Sequence, residues 1–502
     1  MGIESPSQTE GQGPRTSSSL LSGAGVMIAA RLVVALFGWA GLLLIAAQLP
    51  TVEFGSYAFV FALLGLLGMV ADFETTRVVM AEIDDWPNLD ELAGKFVVFR
   101  VALSTTMYIV ALSIVLLGNS TSVEVQAVAL GGCSYFLGSA LWSLITICQA
   151  RMWLRVVAIA MVLGQMVQFG IVVFLAATDQ GSLLRFVAPA VLNDAVALVA
   201  LILMLRGVVR PRLSIDLRRW RHWFVSALPL ATGSVIGQLY FKIDAVMLTW
   251  LLPHAEGRAA VARYQIGYKF SDLLAFLAPA LLAAVLPELV RAKSRAAFRD
   301  TFGQALVIVV LIVAFVVPVF AVLAEPIIDA FVGADLVAAA RPARWLVLGQ
   351  ALNFATQLVF ITLVARDRRA RYPIATATGL VVNVSLNVVL IPRYEVMGAA
   401  VATIVTEVVV IAMLVTALRK FGLRPLPFAA LARVGLAATC SVAATFGAAK
   451  ILPWVVAGFA GAGTYVAVLE LTGVDGPGGL RGFARRSRER RRFPVTSPST
   501  SQ

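Results

Sequence analysis

Long apolar runs, broken by short polar segments, fill almost the whole chain. A helix that crosses a bilayer takes about 20 consecutive, mostly apolar residues. By that measure about fourteen runs qualify, at 20–48, 56–79, 96–117, 125–148, 156–177, 184–205, 224–251, 264–288, 303–323, 343–365, 373–391, 397–417, 428–448 and 452–471. The pattern predicts an all-α integral membrane protein of about 14 transmembrane helices.

A faint internal repeat divides these runs. Leu137–Trp142 in the fourth run resembles Leu348–Asn353 in the tenth, and GQMVQFGIVVFL in the fifth resembles GLVVNVSLNVVL in the eleventh. Leu49-Pro50 followed by Tyr57 is matched by Leu252-Pro253 followed by Tyr264. All three pairings shift by six runs, so the two halves have the same direction, as in transporters whose repeats are related about the membrane normal. The organisation expected is a polar tail over 1–19, an N-lobe of six spans over 20–205, and a basic linker over 206–223. A C-lobe of six spans follows over 224–417, then two extra spans over 428–471 and a basic tail over 472–502.

Composition agrees with this reading. The 502 residues are 60% hydrophobic and 14% charged, where a soluble domain carries about 25% charged residues. Mean hydropathy is +0.88. The net charge of +13 does not point to nucleic acid, because the basic residues sit in clusters between apolar runs. With the N-terminus placed in the cytoplasm, roughly four in five of the cationic residues outside the spans fall on the inner side, including Arg77, Lys95, Arg100 and the Arg206–Arg221 group; such a bias fixes orientation. Both termini are then cytoplasmic. Cys133, Cys148 and Cys440 lie in apolar runs and form no disulfide framework or metal knuckle. His222 and His254 are too separated to make a metal pair.

Charge at bilayer depth is costly, and it faces a cavity or a partner. The first span carries Arg31, the second Asp72 and Glu74, the sixth Asn193 and Asp194, the twelfth Glu407 and the last Glu470. Lys242 and Asp244 lie in the seventh span, and Lys269 and Asp272 in the eighth. Lys269 and Asp272 are three apart and share a helix face. Lys242 and Asp244 are two apart and point differently. Asn353, Gln357, Asn383 and Asn387 add uncharged polar groups that suit either a cavity lining or hydrogen bonds between helices. The cations suit an anionic headgroup such as a phosphate. No GxxxxGK[ST], HExxH, CxxC or GxSxG motif stands at a credible position. No enzyme, cofactor or metal is expected, and transport would draw on a gradient.

Three segments then carry a resemblance. They are EFGSYAFVFALLGLLGMVADFETTRVVMAE, PLATGSVIGQLYFKIDAVMLTWLL with YQIGYKFSDLLAFLAPALLAAVLPEL, and NVVLIPRYEVMGAAVATIVTEVVVIAML. In that order they resemble the polysaccharide transporters of the multidrug/oligosaccharidyl-lipid/polysaccharide exporter superfamily, the lipid-linked oligosaccharide flippases. The resemblance runs from about Leu20 to about Ala417. Phe73-Glu74 and Glu395 stand where the family usually has glycine. The resemblance implies a MATE-like fold of two lobes with alternating access. It implies a polyprenyl-pyrophosphate-linked oligosaccharide as substrate, moved across the cytoplasmic membrane. It implies cavity cations at Arg31 and Lys269 and places Asp244, with Lys242, at a family motif; with the polar residues read above, the candidate cavity set is Arg31, Lys242, Asp244, Lys269, Asp272, Asp72, Asn353, Gln357 and Asn383. The expected partners are the lipid-linked oligosaccharide and the glycosyltransferases or polymerase of the same pathway, with no nucleic acid, and the protein is expected to be a monomer. Two alternatives stay open: a cation-coupled multidrug antiporter of the same superfamily, and a membrane scaffold for glycosyltransferases that transports nothing.

Overall fold

Apolar residues without access to water bury their backbone polar groups by forming helices, and each predicted run falls on a helix in the computed structural model. The structure describes residues 17–86, 88–118, 120–366, 371–418 and 428–473. Most of both predicted tails lies outside the described residues. Among the described residues fifteen α-helices follow in order: α1 (Ser17–Gln48), α2 (Thr51–Asp72), α3 (Thr75–Glu82), α4 (Leu89–Leu117), α5 (Ser122–Gly131), α6 (Cys133–Ala150), α7 (Leu154–Ala177), α8 (Leu183–Leu205), α9 (Leu217–Leu251), α10 (His254–Arg291), α11 (Arg295–Val332), α12 (Ala340–Val364), α13 (Arg371–Leu418), α14 (Phe428–Ala449) and α15 (Trp454–Thr472). There is no strand among the described residues.

Eleven helical segments among the described residues are long and apolar enough to cross a membrane, fewer than the fourteen runs. The second and fourth runs are each built from two helices, α2 with α3 and α5 with α6. Conversely α13 carries two runs, joined at Glu395 where the backbone leaves helical geometry. The helices α9 and α10, which hold Lys242, Asp244, Lys269 and Asp272, are not among the eleven.

Local sequence explains the helix starts. Asn88, Ser182 and Ser294 accept hydrogen bonds from the first turns of α4, α8 and α11, which satisfies amides that have no partner inside the helix. Thr121 and Glu124 form a capping box at α5.

The breaks are equally specific. Phe73, Glu74 and Glu395 have φ of 45°, 55° and 49°. The breaks at Phe73-Glu74 and at Glu395 fall where the resemblance leads one to expect glycine, the residue that adopts positive φ without steric cost. Glu395 also has ψ of −128°, a region that L residues avoid. Its ion pair to Arg263 is 3.7 Å long and partly exposed, so it contributes little. Glu395→Gly is therefore expected to raise thermal stability in detergent by about 1 kcal/mol, relief of about 1–3 kcal/mol of strain being offset by glycine's larger unfolded-state entropy.

The chain forms two compact units. The first comprises the chain up to Leu49 and Val60–Val235, and the second Pro50–Phe59 and the chain from Ile236. The start of α2 belongs to the second unit because Gly55 lets it touch α10: a Cβ there would lie 1.9 Å from the Arg258 carbonyl oxygen. The Arg258 guanidinium also stacks 3.9 Å over Phe59.

Within unit 1, α4 packs on α6, α6 on α8, and α7 on both α1 and α8. Its core gathers Phe96, Phe99, Leu144, Leu201 and Trp223. Within unit 2, α11 packs on α12, and α12 on α10 and α13, around Phe298, Phe302, Phe354 and Leu358. The pairs α4–α6 and α11–α12 join spans related by the predicted six-span shift. The last two helices pack on each other and on α11, where Tyr465 donates to the Leu311 carbonyl and Ser441 to the Gly461 carbonyl.

The linker segment 206–223 straps onto unit 1. Arg212 N–H donates to the Asp90 carbonyl and Arg210 N–H to the Asp90 carboxylate, both at 2.8 Å. Lys95 reaches Asp216 at 2.9 Å and Glu91 at 2.7 Å. Trp223 donates to Glu82, which His222 also meets. The Arg219 amide, and then Lys95, hold the Asp216 carboxyl below the usual carboxylate range. Its contribution is thus present above the unfolded value of about 4 and is lost as pH falls through the lower folded value.

At Gly94 a Cβ would stand 1.9 Å from the Arg212 carbonyl oxygen, a backbone atom. Gly94→Ala is expected to destabilise the protein by about 1–3 kcal/mol in thermal unfolding. Gly435→Ala on α14, where a Cβ meets nothing within 4 Å, is expected to be neutral or stabilising by up to about 1 kcal/mol.

Candidate functional site

Most of the expected residues fall into clusters inside one unit or the other; Arg31, expected in the cavity, is instead exposed on α1. In unit 2 the centre is Asp244, with 2% of its surface exposed. A carboxylate is held at such depth only when its oxygens are hydrogen-bonded. Tyr264 donates its hydroxyl to Oδ2 at 2.6 Å, Thr403 donates to Oδ2 at 2.9 Å, and Asn387 Nδ2 donates to Oδ1 at 2.6 Å. Asn387 Nδ2 also reaches Asn383 Oδ1 at 3.0 Å, as two asparagines four apart on one helix face can.

The bend at Glu395 lets one helix supply both Asn387 and Thr403. Gly398 permits that bend, since a Cβ there would come 2.4 Å from the Leu390 carbonyl oxygen. Asn387 Oδ1 is buried and has no hydrogen-bond partner. The cluster thus combines a buried carboxyl group with a free amide oxygen and two hydroxyl oxygens.

Lys242 lies two residues from Asp244, about 200° around the helix at 100° per residue, and is exposed where Asp244 is buried. It is within electrostatic range of Lys269 and Asp272. Lys269 pairs with Asp272 at 3.2 Å, both side chains about 30% exposed. The local set of two lysines and one aspartate has a net positive charge.

Asn353 and Gln357 have different surroundings. Asn353 donates to Glu407 Oε1 at 3.0 Å and Thr356 donates to Oε2 at 3.2 Å, which ties α12 to α13 around a carboxylate only 1% exposed. Gln357 is half-buried on the same helix.

In unit 1, Arg31 is exposed on α1 beside the exposed Ile28 and Leu32. Asp72, at the end of α2, pairs with Arg100 of α4. Thr76 donates to Asp72 at 3.3 Å and accepts from Arg100 at 2.9 Å. Arg100 is 7% exposed, although the charge pattern places it among the inner-side cations. The carboxylate at Asp72 draws it into the helix layer, where an unpaired guanidinium would be costly.

Sequence reasoning did not select Tyr264, Thr403 or Arg100 as site residues. Tyr264 had a signal, as the tyrosine that closes the Leu-Pro repeat. Thr403 had none, since threonine is ordinary in a membrane helix. No group of three or more His, Cys, Asp or Glu side chains that could hold a metal occurs among the described residues.

The chain is thus a helical bundle with apolar spans, buried carboxylates and partly exposed cations. Its fold matches that of a lipid II flippase, MurJ, in an inward closed conformation, with a TM-score of 0.70 and 13% identity over 89% of this chain and 98% of that one. It matches an inward-facing multidrug resistance MATE family transporter of the MOP superfamily, with a TM-score of 0.62 and 14% identity over 80% of this chain and 99% of that one. A MOP superfamily transporter from Pyrococcus furiosus, described as having a binding pocket of reversed polarity, matches with a TM-score of 0.53 and 14% identity over 80% and 96%. No curated protein matches the sequence. Residues 20–293, more than half of the chain, match the family described as polysaccharide biosynthesis protein. The chain belongs to that family, and its fold is similar to that of a lipid II flippase and of MATE transporters.

Proposed function

We propose that the protein is a flippase that moves polyprenyl-pyrophosphate-linked oligosaccharide across the cytoplasmic membrane by alternating access. The observation that carries this reading is the local excess of positive charge at Lys242 and Lys269, inside a family of polysaccharide biosynthesis proteins. A pyrophosphate is anionic and meets cations best where water is partly excluded. The positive sign at Lys242 and Lys269 suits an anion and not an organic cation. The basic bias of alternate loops supports cytoplasmic termini, and glycosyltransferases of the same pathway would supply the substrate on that side.

Asp244 is the group suited to couple transport to a gradient. One buried carboxylate, a free amide oxygen and two hydroxyls can take up one positive charge, as a proton or as a small monovalent cation. The reading is tested with Lys242→Gln in cells whose envelope glycan depends on this protein. Glycan export is expected to fall by about tenfold or more, as for loss of one charge-assisted contact of about 1.5–3 kcal/mol, with unchanged protein level in the membrane. Unchanged export would remove the cationic site from the account.

A further inference from the structure

Unit 1 contains a cavity of about 290 Å³ between α2, α4, α6 and α8. Its wall combines an apolar face with a cluster of polar groups. Trp142 lines it and is 44% exposed, so its ring is not locked in the core. Asp72 and Arg100 line another part. Asp194 of α8 completes the polar side, with Ser134 of α6 beside it in the wall. Asp194 has no role in the unit 2 cluster or in the linker strap. Arg100 is more than nine-tenths buried, and its Nε has no hydrogen-bond partner although its terminal nitrogens are engaged.

The chemistry of this wall selects among ligands. Two carboxylates against one guanidinium give it a net negative charge, which repels a phosphate. Carboxylates and serine hydroxyls together offer both acceptors and donors. Hydroxyl groups need both, since each is donor and acceptor at once. An accessible indole suits a flat face of C–H groups with a polar rim. A pyranose ring has that combination. The volume stands at the lower edge of the range for small-molecule sites, about 300–1,000 Å³, which fits one ring.

We propose that this cavity is a binding site for a single sugar ring of the transported glycan, held by Asp194 and Arg100 and stacked on Trp142. The proposal rests on the flippase reading for the identity of its ligand, and the site can be tested without transport. Saturation-transfer NMR would be recorded on the detergent-solubilised full chain with glucose, galactose and N-acetylglucosamine as probes. Wild type is expected to transfer saturation to at least one of them. Trp142→Ala and Asp194→Asn are expected to weaken binding about tenfold, and Trp142→Phe, which keeps an aromatic face, to retain most of it. Unchanged melting temperatures would show that the variants are folded. No transfer with wild type, or equal transfer in all the variants, would overturn the proposal. Transfer that is lost in Trp142→Ala and Asp194→Asn, in a protein that moves no glycolipid in vesicles, would uphold the sugar site and overturn the flippase reading.

Discussion

Asp244→Asn is expected to lower glycolipid flipping by about 5–150-fold, the range for loss of a coupling free energy of about 1–3 kcal/mol. The substitution keeps the shape of the side chain and removes its charge. Tyr264 and Thr403 can rotate their hydroxyls to suit an amide. Asn387 cannot make the same bond if an amide nitrogen faces its own, and that mismatch is expected to cost about 1–3 kcal/mol of stability. The protein should therefore fold and reach the membrane, yet lack a place to take up the coupling charge. Flux in vesicles and thermal unfolding separate the two effects. Wild-type flux from a modestly destabilised variant would reduce Asp244 to a structural tie between α9, α10 and α13.

Breaking the buried pair in unit 1 should have the largest effect on stability, and the effect should be asymmetric. Asp72→Ala leaves Arg100 as a 7% exposed guanidinium without its carboxylate. Removing one partner of a buried pair costs about 3–5 kcal/mol, because the remaining charge has lost both water and its counterion. Arg100→Met leaves Asp72, whose side chain is 40% exposed. Water can solvate that carboxylate, so the loss should be smaller, about 1–2 kcal/mol after screening. The methionine also keeps the packing of the arginine stem against Phe96, over which the guanidinium lies at 5.6 Å. Melting temperatures of the two variants in one detergent test this. Equal losses would mean that Asp72 is as dependent on the pair as Arg100 is.

The fold was legible because its signal is redundant. A span needs about 20 apolar residues, and the chain repeats that signal many times, so the helices survive local departures. What was hidden is where a span breaks. The second run reads as one span, yet its backbone turns through Phe73 and Glu74 at positive φ. The signal was the absence of glycine at those positions and at Glu395, and it became a statement about backbone strain only when the dihedrals were known.

The polar residues show the same division. Pairing within one helix follows from spacing, as with Lys269 and Asp272 and with Asn383 and Asn387. Pairing between helices does not. Asp244 meets Asn387 across 143 positions and Thr403 across 159, and nothing in the order of residues marks these as neighbours. Arg100 shows how charge patterns mislead at span ends: a cation near the inner face looks like a topology signal, while a carboxylate one helix away turns it into an internal partner.

The most direct test is transport by the purified full-length chain in sealed vesicles. A polyprenyl-pyrophosphate-linked oligosaccharide carrying a fluorophore would be placed in one leaflet, and its arrival in the other followed by lectin capture. Flipping well above the rate in protein-free vesicles, and slowed by Lys242→Gln, is the predicted result. A rate equal to that of protein-free vesicles, from protein that is folded and inserted, would contradict the account.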